Sequence, residues 1–306
     1  MHDFTRSCSP SSAPRGSALS LREGVARAMR LVAALAVILV SAPALAQEAI
    51  NTESATQPGV GSLYVKPQFR LWRYGVSRDP ASSVQGVTRA EASVTLQYGV
   101  AKDWSLSLKV PAVVQEQTFP ASRNLAASIG QIEALFKFRV YRSDTSALDT
   151  VRAVVYGGAM LPSGDDTVAP QSVDPFIGAS VMLIRGRWGL TQSLRYTVTT
   201  GADSWKWIAP GAPSAADYLR YDTALMYRVF PAEFTAENSS SAWYASLELN
   251  GQYETSGDNE ILLAPGLLYE AQRFAAEFSV GFPIVKDVRD RPATQLQVSV
   301  GLRFVF

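Results

Sequence analysis

From Gly61 to the last residue, apolar and polar side chains alternate with a period of two rather than 3.6. In TRAEASVTLQYGV, Ala90, Ala92, Val94, Leu96 and Tyr98 alternate with Arg89, Glu91, Ser93, Thr95 and Gln97. The next run alternates Trp104, Leu106, Leu108 and Val110 with Ser105, Ser107 and Lys109, and a tight GVAKD turn joins the two. Successive side chains of a strand point to opposite faces, so this pair reads as a hairpin with one apolar and one polar face. The pattern predicts twelve strands, near 62–75, 88–99, 103–115, 129–141, 150–161, 175–185, 187–199, 217–230, 242–254, 260–270, 273–283 and 294–306. The run at 260–270 alternates least, and Pro265 interrupts it. No helical period, long linker or repeat emerges.

The connections alternate as well. Those at 100–102, 142–149, 186, 231–241 and 271–272 are mostly short. Those at 76–87, 116–128, 162–174, 200–216, 255–259 and 284–293 are mostly longer and rich in Pro, Gly, Ser, Asp and Asn; 231–241 and 255–259 depart from the rule. Trp104, Trp188, Trp243, Phe274, Tyr98 and Tyr227 cluster at the short-turn side in the apolar phase, with Tyr196, Tyr221, Tyr253 and Phe282 near the other rim. Two aromatic belts around an apolar band, with short turns on one side and long loops on the other, are the outer-membrane pattern. The expected fold is all-β, a single 12-stranded antiparallel transmembrane β-barrel of outer-membrane type. Its last strand, QVSVGLRFVF, must pair with the first, because lipid tolerates no unpaired edge. Its Phe304 and Phe306 then face outward. A final strand ending in Phe also resembles the signal that such barrels present to the barrel assembly machinery, which makes that machinery and outer-membrane lipid the expected partners.

Arg22, Arg27 and Arg30 precede the apolar run LVAALAVILV, and SAPALA follows it. This is a secretory signal peptide, too short to span a bilayer, with cleavage expected after Ala46 and a bacterial outer-membrane destination. Met29 is an alternative start, which would make residues 1–28 an upstream extension. Residues 47–60 are polar and read as a flexible periplasmic lead-in to a barrel spanning 61–306. Cleavage removes Cys8 and His2, the only cysteine and histidine. Disulfides, Cys/His zinc sites, imidazole bases and thiol nucleophiles go with them. It also leaves 23 basic against 25 acidic residues, which gives no nucleic-acid footprint.

Three segments carry a narrower resemblance: LQYGVAKDWSLSLKVPAVV (96–114), IGQIEALFKFRVY (129–141) and YGGAMLPSGDD (156–166). They resemble the outer-membrane, transporter-like barrels associated with the meta-pathway of phenol degradation. Gly130, Lys137, Phe138 and Arg139 match one family motif, and Leu161, Pro162, Ser163, Gly164 and Asp165 match another. Gln131 and Ser163 stand where the family has Asp and Thr. The resemblance implies passage of small, often aromatic, molecules and no catalytic residues.

The polar phase supplies candidates for a solute path: Lys66, Arg70, Glu91, Lys109, Glu133, Lys137, Arg139, Arg195, Arg220, Glu248 and Glu277, with Arg89, Arg152, Asp222, Arg228 and Glu254 beside them. They line a hydrated channel or form a salt-bridged plug; twelve strands lie between barrels that side chains fill and barrels that stay open. The basic residues concentrate on the earlier strands and Glu248, Glu254 and Glu277 on later ones, so a transverse field is expected, reduced wherever Lys109 pairs with Glu91 and Lys137 with Glu133. Asp165 and Asp166 suit a polar turn better than a calcium site. Trp205 and Trp207 either stack on a solute or cap the rim. No metal and no cofactor is expected. The favoured function is a channel for small hydrophilic or aromatic solutes. A structural or adhesive barrel with a plugged lumen is the alternative, and a lipid-modifying barrel enzyme is disfavoured by the missing histidine.

Overall fold

The computed structural model describes residues 47–78, 82–146, 149–201, 216–234 and 240–306. The signal peptide, Trp205 and Trp207 lie outside the described residues. Among those described, thirteen strands follow one another: β1 (Leu63–Tyr74), β2 (Gly86–Ala101), β3 (Trp104–Thr118), β4 (Arg123–Ile129), β5 (Ile132–Asp144), β6 (Thr150–Leu161), β7 (Asp174–Arg185), β8 (Trp188–Thr197), β9 (Tyr218–Phe230), β10 (Ser241–Glu254), β11 (Asn259–Ala271), β12 (Phe274–Asp287) and β13 (Thr294–Val305). All pair antiparallel, and β13 returns to β1 with Tyr64 opposite Val305. At that seam the Leu63 N–H donates to the Phe306 carbonyl and the Phe306 N–H to the Leu63 carbonyl, both at 2.9 Å. The sheet is therefore closed through the final residue, and the backbone meets its own hydrogen-bonding needs in an apolar surrounding.

β4 and β5 share one position in the wall. β5 pairs with the start of β3 (Trp104 opposite Phe138, Lys109 opposite Glu133), and β4 with its continuation (Ala112 opposite Ile129, Thr118 opposite Arg123). The barrel thus has twelve staves. The expected loop at 116–128 is corrected to a tall hairpin, turned at 119–122 by a 2.9 Å bond from the Phe119 N–H to the Ser122 carbonyl. The break between β4 and β5 is stitched by the β6–β7 loop. Ser163 Oγ donates to the Gly130 carbonyl at 2.7 Å and accepts the Ile132 N–H at 2.9 Å. Gly164, at φ +76°, lies against the Ile129 carbonyl, where a Cβ would collide. Two segments of the family-like pattern, one ending in SGDD and one beginning IGQ, are thereby in direct contact.

The remaining irregularities have local causes. Pro265 falls where the β11–β12 ladder is interrupted, between Leu263 opposite Phe282 and Gly266 opposite Ser279; proline has no N–H to give. The short 255–258 turn is roofed by the next loop: the Asp258 carboxylate accepts the Arg289 and Asp290 N–H groups at 2.9–3.0 Å. Arg291 reaches Glu254 at 2.8 Å and Glu260 at 3.1 Å. Burial works against its charge, but the two carboxylates outweigh it and raise its pKa. In the described part of the 231–241 turn, Phe234 folds back over Arg228, with its ring centroid 4.3 Å from the guanidinium. A two-residue turn with Gly186 at φ +59° joins β7 to β8.

The outer face is apolar, with Leu96, Leu106, Phe136, Ile177, Leu194, Leu247 and Phe278 exposed. Near the short turns, aromatic rings pair across strands: Trp104 with Phe136 and Phe138, Trp188 with Tyr227, and Trp243 with Tyr269, at centroid distances of 4.2–4.8 Å. The loop stitch is open to test. Gly164→Val should lower stability by about 2 kcal/mol through a strained positive φ, read as an earlier loss of heat-modifiable gel mobility. An unchanged transition would show that the stitch contributes nothing.

Candidate functional site

The lumen is not empty. Residues 47–57, expected as a flexible lead-in, form an arch inside the barrel with Gln47, Glu48, Ile50, Thr52, Ser54, Ala55, Thr56 and Gln57 buried. The correction has a physical reason: polar inward groups without water need partners, and this segment supplies them. Gln47 lies beside Gly189. Ala49 packs against Met226, Tyr244 and Leu268. The apex, Asn51–Thr52, covers Glu248, whose carboxylate accepts the Asn51 N–H at 3.1 Å, Asn51 Nδ2 at 3.0 Å and Thr52 Oγ1 at 2.7 Å. The segment then descends, with Ser180 Oγ donating to the Glu53 carbonyl at 2.7 Å and Ala55 seated among Leu135, Tyr156, Phe176 and Met182. It leaves the lumen at Gly61, whose N–H donates to the Gly99 carbonyl at 2.8 Å.

The predicted charges divide by partner. Lys66 pairs with Glu48 at 2.8 Å, and Lys137 with Glu53 and, at 2.7 Å, the Ser54 carbonyl. Arg303 holds Glu48 at 2.6 Å and Glu270 at 2.8 Å. Lys109 meets Glu91 at 2.7 Å, as expected. Glu133 meets Arg195 at 2.9 Å rather than Lys137, because Arg195 reaches it from β8, three strands along the wall, while Glu53 of the arch takes Lys137. Arg220 stands 3.6 Å from Asp222. Arg70 donates to the Ile50 carbonyl at 2.9 Å. Arg139 is corrected from the lumen to the rim, where Asp103 in the β2–β3 turn holds it at 3.1 Å. Glu248 is inward but sealed beneath the arch. The transverse field expected from opposed arcs is cut down by these local pairs.

Among the described residues, two cavities lie in the lumen. One, of about 170 Å³, surrounds the arch and is lined by Lys66, Arg70, Lys137, Arg195 and Glu277 among others. The second, of about 340 Å³, lies on the long-loop side and includes Trp72, Tyr74, Glu91, Tyr218 and Arg291. They meet at a waist where Asn51, Arg70, Lys109, Glu133, Arg195 and Arg220 line both. The β6–β7 loop narrows the upper end: Val168 and Ala169 are buried against Val113, and Arg89 donates to the Val168 carbonyl at 2.7 Å. Asp165 is a turn residue, exposed and held below the usual carboxylate range by the Thr167 hydroxyl and N–H. Among the described residues no His/Cys/Asp/Glu group has the arrangement of a metal site.

This architecture has a solved counterpart. The COG4313 outer membrane channel from Pseudomonas putida F1 superposes with a TM-score of 0.58 at 12% identity, over 88% of this chain and 100% of that one. The chain has the outer-membrane β-barrel fold. The translocator domain of the autotransporter NalP from Neisseria meningitidis (TM-score 0.44, 12% identity, 92% and 94% coverage) and the NanC porin (0.43, 12%, 79% and 98%) are more distant. No family model and no curated protein matches the chain.

The arch is what the sequence reading missed. Its signal was present: Tyr156, Phe176, Met182 and Tyr244 are apolar residues in the inward, otherwise polar phase, and they demand a partner inside. Removing one latch tests the arch. Lys137→Met leaves Glu53 and the Ser54 carbonyl without their ammonium, a loss of about 2 kcal/mol. Amide exchange within residues 47–57 should rise, with the barrel strands unaffected. Unchanged exchange there would mean that the latch does not hold the arch.

Proposed function

We propose that the protein is an outer-membrane channel for small solutes, with the arch of residues 47–57 as its constriction. The observation that carries this is the pair of polar, charge-lined cavities meeting at one waist inside a closed barrel whose outer face is apolar. The likeness to a solved outer membrane channel supports the same reading. A secretory signal cleaved after Ala46 delivers the chain, the barrel assembly machinery inserts it, and no catalytic step is assigned to it. Kinship with the phenol meta-pathway barrels rests on the 96–114, 129–141 and 156–166 motifs. A plugged structural barrel is the second reading, favoured by the ion pairs that fasten the arch.

Planar-bilayer recording separates them. The wild-type channel should conduct in small steps and favour anions weakly, because Arg70 is not balanced by a carboxylate at the waist. Deleting residues 48–57 should raise conductance several-fold. A silent wild type with a conducting deletion would favour the plug; silence in both would end the channel reading. Cation selectivity under a salt gradient would remove the charge argument and leave a pore.

A further inference from the structure

The waist contains two arginines whose donors are not used up. Among the described residues, Arg70 makes one hydrogen bond, from Nη2 to the Ile50 carbonyl at 2.9 Å, and no ion pair. Among the described residues the Arg220 side chain makes no hydrogen bond; its carboxylate contact is Asp222 at 3.6 Å, and Asp222 already accepts Asn250 Nδ2 at 3.1 Å. The neighbouring cations are better matched, Lys109 at 2.7 Å from Glu91 and Arg195 at 2.9 Å from Glu133. Arg70 on β1 and Arg220 on β9 come from different walls and line both cavities. Two cations lining the same cavities, with N–H groups that no carboxylate takes at hydrogen-bond distance, favour an anion between them.

What stands above each arginine gives the rest of the ligand. One pleat toward the long loops, β1 presents Trp72 and β9 presents Tyr218, and both line the larger cavity with Met160 and Leu262. The same step on two strands thus repeats a guanidinium with an aromatic ring outside it. A planar fork of N–H donors matches a carboxylate, and the adjoining rings and aliphatic groups match a short organic body better than they match a bare inorganic ion. We infer that the waist is a binding site for small organic carboxylates, held by Arg70 and Arg220 with the apolar part against Trp72 and Tyr218. This deepens the channel reading by giving its solute class, and as a transport property it rests on that reading.

The test is calorimetric titration of the full-length, detergent-solubilised protein with butyrate, and with butyramide as the uncharged probe of the same shape. Butyrate should bind at least tenfold more tightly than butyramide. Arg70→Gln and Arg220→Gln should each weaken butyrate about tenfold and leave butyramide unchanged. Arg70 also touches the arch, so Arg220→Gln, which does not, keeps the test independent of arch position. Heat-modifiable mobility on gels confirms that each variant is a folded barrel. Equal affinity for the two probes, no butyrate binding at all, or undiminished binding in both variants would overturn the site. Butyrate binding that needs both arginines in a protein without conductance would instead leave the site standing and overturn the channel.

Discussion

Glu48 is held by Lys66 of β1 and Arg303 of β13, at 2.8 Å and 2.6 Å. Those are the first and last strands, so one carboxylate spans the seam at which the barrel closes. A buried cation with its partner removed is costly, and Arg303 is almost fully buried. Glu48 and Glu270 together keep its charge tolerable. The consequence runs in both directions along the chain. The arch is anchored because the seam needs a carboxylate, and the seam carries a buried arginine because the arch brings one.

The same logic explains the size of the lumen. Twelve strands enclose more space than inward side chains can fill and less than a wide aqueous pore. The chain fills the difference with two inward-folded pieces: the arch at the short-turn end and residues 167–170 at the long-loop end. Each satisfies polar wall groups as it enters, the arch at Glu248 and Lys137, the loop at Arg89 and Gln115. What they leave between them is the waist.

Most of the wall was legible in the sequence, because a period of two is a direct image of a sheet with lipid on one side. The alternation to Phe306 foretold closure onto β1, and the aromatic positions foretold the belt around Trp104, Trp188 and Trp243. The fourth stave was placed too late because RNLAASI has the composition of a loop, yet β3 offers it a complete edge from Ala112 to Thr118. Pairing inside the lumen left no periodic trace. Arg195 finds Glu133 and Lys137 finds Glu53 only through three-dimensional closure. The polarity of residues 47–60 pointed to solvent, when it was complementary to the polar interior of the barrel itself.

That complementarity bears on how the arch would coexist with the proposed passage. The arch is fastened at Glu48, Glu53 and its Asn51–Thr52 apex, and at the waist its Ile50 carbonyl accepts Arg70 and its Asn51 Oδ1 accepts Gln297 Nε2. Its firm attachments are to the walls, and toward the larger cavity it presents Asn51 as the one arch residue on that cavity's lining. Neither the hydrogen bonds to the buried Glu248 carboxylate nor the buried ion pairs exchange with water at little cost, so the apex and the legs are both held. In the proposed channel the groups left to meet a solute are those the arch leaves uncommitted, while Lys66, Lys137 and Arg303 serve to hold the arch in place.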